Sequence, residues 1–180
     1  MTHATTRRDC HRYLRAAAGV ALVCALARAV AADETSAAPM PRVRSDNPEI
    51  AALIQRGTER STTFRRMVAT IDGTDGIVYV QEGKCGHSVH ACLLLSITVA
   101  GPHRILRVLI NTGQPEREVL SAIGHELWHA IEVLRQPGLR TYPAVYSFFD
   151  REGPTGSERF ETPAAVRAGL DVRTELGGRK

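Results

Sequence analysis

Beyond residue 32 this sequence has no net charge. From Asp33 onward 18 Lys and Arg stand against 18 Asp and Glu, so the formal +4 of the chain resides in its first 32 residues, which hold five Arg and one Asp. A balanced body lacks the basic footprint of nucleic-acid binding, and no nucleic-acid partner is expected. A membrane span is missing too. The longest apolar stretch, AAAGVALVCALA, is cut by Arg28 well short of the roughly 20 residues a span needs. Cysteine is scarce: four in all, two of them after residue 32, which leaves material for one bridge in the body of the chain. Internal repeats are absent, and no linker marks off a second domain. The 180 residues, 43% hydrophobic, suit one domain with a real core.

The asymmetry of charge points to export. Arg7, Arg8, Arg12 and Arg15 precede the apolar stretch, and the small residues Ala29-Val30-Ala31 close it before a polar segment. A charged start, a short apolar run and an Ala-x-Ala site predict a signal peptide over residues 1–31, removed on delivery to the periplasm or the exterior, with no stable membrane insertion afterwards. Residues 32–46, rich in Ala, Pro, Ser and charge, read as a flexible leader. Cys85 and Cys92 then meet an oxidising compartment, which favours a disulfide. His87 and His90 lie between them in CGHSVHAC, so a metal site is the competing reading; one tight loop surrounds an ion poorly, because structural zinc sites space their ligand pairs further apart.

The remainder, 47–176, reads as an α+β domain. Asn47-Pro48-Glu49 carries the signature of a helix start. Ile50, Leu53, Ile54, Phe64, Met67, Val68 and Ile71 extend an apolar stripe, with Gly57 a possible break and Ser61 a possible second cap. Three β-rich runs follow, at 77–80, 91–100 and 104–110, with connections short enough for hairpins. Arg104 and Arg107 interrupt strict alternation in the third. Pro115, Glu116 and Glu118 open a central helix with apolar residues at helical spacing from Val119 to Leu134, and Pro137-Gly138 ends it. Residues 139–156 read as irregular and aromatic, and a last helix is expected from about 158 to 176.

The central helix contains HELWH. Residues four apart share a helix face, so His125 and His129 present two imidazoles to one point, a spacing that lets both reach a zinc ion at about 2.0–2.1 Å. Glu126, rotated by roughly 100°, stands beside such an ion as a proton acceptor rather than a ligand. Zinc makes water acidic enough to deprotonate near neutral pH, and the carboxylate then carries the proton to a leaving amine.

HELWH matches the HExxH signature, and on these residues the chain resembles the zincin metallopeptidases. The resemblance implies that His125 and His129 are zinc ligands and Glu126 the general base. The metzincin branch needs Gly and His where this chain has Glu132 and Arg135. What remains is similar to a minimal gluzincin: a small zincin-like domain with an N-terminal helix, a short mostly antiparallel sheet, an active-site helix and a C-terminal helix that carries a glutamate as third ligand. Glu152, Glu158, Glu161 and Glu175 are the candidates. Glu161 is best placed, because Ala164, Ala165, Ala168 and Gly169 follow it and let two helices approach closely. Two features depart from the pattern: Ala165 stands where that branch has an Asp supporting a ligand histidine, and Pro163 makes the helix begin close to Glu161. Glu132 or Asp171 could supply that support instead. A peptidase also needs a donor to the oxyanion, for which Tyr142 and Tyr146 are candidates. The resemblance further implies a peptide or protein substrate, laid as an added strand along the sheet edge, assigned to the run at 91–99. The rival from another class is a secreted zincin-fold module that binds without cutting and keeps a structural metal.

Overall fold

The computed structural model describes residues 40–86, 89–152 and 160–177. The expected signal peptide lies outside the described residues, as does the leader up to residue 39. Among the described residues the chain is α+β, with five strands and five helices.

Structure begins before the expected domain start. β1 (Val43–Arg44) falls inside the segment read as leader. It pairs parallel with Val78 and Tyr79, buries Val43, and places the Arg44 guanidinium 4.8 Å over the Tyr79 ring. Two residues carry no readable periodicity; long-range pairing makes them a strand. Next come α1 (Pro48–Arg60) and α2 (Thr62–Asp72). Asn47 Oδ1 caps the first by accepting from the Glu49 and Ile50 N–H groups. Ser61 ends α1, and its hydroxyl accepts from Phe64 N–H at 3.0 Å to cap α2. The break therefore falls at Ser61, and Gly57 stays inside α1.

The sheet consists of β1, β2 (Gly76–Glu82), β3 (Ala91–Leu93), β4 (Thr98–Ala100) and β5 (His103–Ile110), in the order β1-β2-β5-β3, with β4 also on β5. The hairpin expectation holds for β4 and β5, which pair antiparallel from Thr98↔Ile105 to Ala100↔His103. β2 and β5 instead pair parallel along their whole length, from Gly76↔Arg104 to Glu82↔Ile110. The run at 91–100 is interrupted into β3 and β4, both antiparallel to β5 on the edge away from β2. Successive hairpins would have placed this run between β2 and β5; instead β5 lies between β2 and the run. Cys85 and Cys92 are joined by a disulfide, with Cα atoms 6.0 Å apart.

β5 alternates strictly, and Arg104 lies on its buried face with Leu106, Val108 and Ile110. The two arginines that interrupt the sequence pattern lie on opposite faces, Arg104 buried and Arg107 on the half-buried side. Against this face packs α3 (Glu116–Leu134), whose Leu120, Ile123, Leu127 and Ile131 are fully buried. Each such side chain contributes about 1.5–3 kcal/mol by leaving water. The segment expected to be irregular forms α4 (Tyr142–Glu152), which buries Val145 and Phe149. α5 (Pro163–Gly177) closes the chain and packs on α3. None of the helices among the described residues is long and apolar enough to cross a membrane.

Candidate metal centre

The HELWH stretch lies in the middle of α3, and both imidazoles turn to the same point. Nε2 of His125 and Nε2 of His129 are 3.1 Å apart. Glu161 Oε2 lies 3.2 Å from His125 Nε2. The three donor atoms lie within 4.8 Å of one another, a grouping that can hold a metal ion. Two ring nitrogens this close repel through their lone pairs unless a proton or a metal cation lies against them. The donor set, two imidazoles and one carboxylate, fits a cation on those grounds.

Glu161 reaches the histidines because of how α5 starts. It does not sit on the helix, as the resemblance implied, but in the turn just before it. Thr162 is the cap: its hydroxyl accepts from Ala165 N–H at 3.1 Å, and Pro163 takes the first helical position. Pro163 thus fixes the start of the helix and leaves Glu161 free to turn toward α3. The close approach of α5 to α3 rests on two glycines. A Cβ at Gly169 would lie 3.2 Å from His125 Cβ and from the Ser121 carbonyl oxygen, and one at Gly124 would lie 2.9 Å from Val172. Ser121 Oγ donates to the Gly169 carbonyl at 2.9 Å across the same contact.

Glu126 is 7% exposed. Its Oε2 accepts from Leu93 N–H at 2.7 Å, and its Oε1 lies 4.0 Å from His125 Nε2. Burial pushes its carboxyl above the ordinary range, an effect that the charges of His129 and His125 and the Leu93 N–H offset only in part. Burial pulls the His125 imidazole down, but the hydrogen bond with Glu161 and the charges of Glu126, Glu161 and Glu132 outweigh it and raise the group. The bond to His125 holds the Glu161 carboxyl below its usual range in spite of burial.

The other candidates lie elsewhere. Glu175 accepts from Ser61 Oγ, from Thr63 N–H at 3.0 Å and from Thr63 Oγ1 at 2.8 Å, at the start of α2. Glu152 ends α4 exposed, and Glu158 lies outside the described residues. Of the two residues considered as support for a ligand histidine, Asp171 is exposed, whereas Glu132 Oε2 lies 2.9 Å from His129 Nδ1. Tyr142 is exposed on α4, and Tyr146 packs its ring 5.2 Å from Phe160. Neither tyrosine lines the cavities at the site. His87 lies outside the described residues and His90 is exposed, while the two cysteines between which they fall are bridged.

Two cavities meet at Glu126 and Glu161. One, of about 420 Å³, extends past His125 toward Ser121, Gln114 and Leu170. The other, of about 300 Å³, lies by His129 and is walled by Leu93, Leu95, Phe149 and Phe160. Val89 and Ala91 border both. The reading of the sequence missed three parts of this site: the Leu93 N–H, the Thr162 hydroxyl and the ring of Phe149, 5.2 Å from that of His129. Only Thr162 carried a signal, as a Thr-Pro pair opening a helix. Compared with models of known families, with curated proteins and with solved structures, the chain matches none.

Proposed function

We propose that the chain is an exported zinc-dependent metallopeptidase, similar in its site to a gluzincin. The observation that carries this reading is the convergence of His125, His129 and Glu161 beside a buried carboxylate that is not one of the three. Two histidines and a glutamate form one of the ligand sets of catalytic zinc. When bound there, zinc supplies Lewis acidity, polarising a carbonyl and making water acidic near neutral pH.

The chain's own residues supply the rest. The Leu93 N–H anchors one oxygen of Glu126 and leaves the other on the side of the histidines. In this role Glu126 takes the proton of the attacking water and gives it to the departing amine. A structural metal site has no use for such a group. β3 lies at an edge of the sheet, so a peptide or protein substrate is accommodated as an added strand beside it. The apolar cavity by Phe149 and Phe160 accepts a side chain next to the cleaved bond. The disulfide suits the oxidising compartment to which a signal peptide would deliver the chain.

The test is hydrolysis of an unstructured protein or peptide pool by the zinc-loaded chain, with and without chelator. Chelation and Glu126→Gln should each abolish cleavage, while Glu126→Gln keeps the metal. Cleavage that persists unchanged in Glu126→Gln would show the mechanism wrong. Metal binding without any cleavage would instead favour a non-catalytic, metal-stabilised module.

A further inference from the structure

Glu132 lies one helical turn beyond His129, with only 14% of its side chain exposed. Its carboxylate is shared among three partners. Oε2 meets His129 Nδ1 at 2.9 Å. Oε1 accepts from the Trp128 indole N–H at 3.0 Å and from the Thr162 hydroxyl at 2.7 Å. Thr162 is itself buried, and the same hydroxyl accepts from Ala165 N–H to start α5. The residue before it is Glu161. One carboxylate therefore ties a ligand histidine to the turn that carries the ligand carboxylate.

We propose that Glu132 is the positioning residue of the metal centre, orienting His129 directly and placing Glu161 through Thr162. This rests on the reading of His125, His129 and Glu161 as ligands. A carboxylate oxygen 2.9 Å from Nδ1 favours the His129 tautomer with its proton on Nδ1, which leaves Nε2 to face the site. Two donors on Oε1 prevent the carboxylate from swinging, which fixes the ring it holds. Both oxygens are engaged away from the site, so Glu132 orients a ligand without competing for the ion. The support that the gluzincin pattern draws from an Asp four residues after its glutamate is absent here, where Ala165 is fully buried. In this chain it comes from α3 itself, three residues after the second histidine.

Zinc affinity of the full chain, measured by competition with a chromophoric chelator, tests the proposal. The proteins are the wild type, Glu132→Gln, Thr162→Val, Thr162→Ser and His125→Ala, each melted without metal as well. Glu132→Gln is expected to bind zinc about 10–100-fold more weakly and Thr162→Val about tenfold more weakly, with Thr162→Ser close to wild type. Thr162→Val also loses a helix cap and melts lower; affinity of the folded protein, not melting, is the discriminating readout. Imidazole ¹⁵N shifts of the metal-free protein should show His129 protonated on Nδ1 in the wild type and a mixture of tautomers in Glu132→Gln. Wild-type affinity in both Glu132→Gln and Thr162→Val, beside lost binding in His125→Ala, overturns the positioning role and leaves the metal centre standing. A wild type that binds no zinc removes both. If Glu132→Gln does not fold, Thr162→Val against Thr162→Ser decides.

Discussion

Two polar clusters lie along the same helix, and they are built in opposite ways. At the C-terminal end of α3, Arg104 reaches up from β5 with 1% of its side chain exposed. Its guanidinium donates to the carbonyls of Val133, Leu134, Gln136 and Leu139 and to both oxygens of Asp75. Each of its three nitrogens is used, and the cation meets the negative end of the helix. At mid-helix, His125 and His129 instead meet Glu161 from the segment before α5, with three potential ligand atoms within 4.8 Å of one another. A cluster whose donors and acceptors are saturated within the chain contributes to folding. A cluster that gathers two imidazoles and a carboxylate at one point can also hold a metal ion. The same helix is thus anchored at one end so that a demanding group of side chains can be held in its middle.

Substitutions can separate the two. The largest loss of stability is expected from Arg104→Leu, which strands Asp75 and the last carbonyls of α3. Removing one partner of a buried charge cluster costs about 3–5 kcal/mol, readable as a shifted urea midpoint, and the folded fraction should still bind zinc. Gly169→Ala comes next. A methyl group there presses on His125 and on the Ser121 carbonyl, at about 1–3 kcal/mol for overpacking, and zinc affinity should fall with stability, because Glu161 lies just before α5. His125→Ala should reverse the pattern of Arg104→Leu: metal-free stability changes by less than about 1 kcal/mol, while zinc binding is lost. If Arg104→Leu loses zinc as completely as His125→Ala does in protein that is still folded, the separation of the clusters is wrong.

The smallest effect concerns acid. The bond to Arg104 holds the Asp75 carboxyl below its ordinary value near 3.8. Burial raises the Glu175 carboxyl, but its bonds with Ser61 and Thr63 outweigh burial and leave it below its ordinary value near 4.5. Both groups bind a proton less tightly folded than unfolded. Their contribution is full above the unfolded values and disappears as pH falls through the folded ones. Stability followed from pH 5 downward should decline, and Glu175→Gln should flatten part of that decline. An unchanged slope would remove Glu175 from the account of acid sensitivity.

Much of the site was legible because it is local. HELWH within an apolar period-3.6 stripe places both imidazoles and the adjacent carboxylate without any long-range information. Small residues after Glu161 marked the helix that must approach. What was not legible depends on partners far along the chain. Arg104 only breaks an alternation in the sequence until the end of α3 is known to lie over it. The parallel pairing of β2 with β5 depends on the intervening run taking the opposite edge. α4 went unread because its buried positions, Val145 and Phe149, form a single helical interval among aromatic residues, too short to declare a period. Glu132 was open as support for a histidine, but the hydroxyl that engages it becomes visible only when α5 is docked.

The central claim is that side chains from two distant parts of the chain form one metal centre. Elemental analysis of the chain purified without added metal or chelator tests it most directly. One zinc per chain is expected in the wild type and in Glu126→Gln, and none in His129→Ala or Glu161→Ala. A chain that carries no metal, or one that keeps its zinc after both His125 and His129 are replaced, would contradict it.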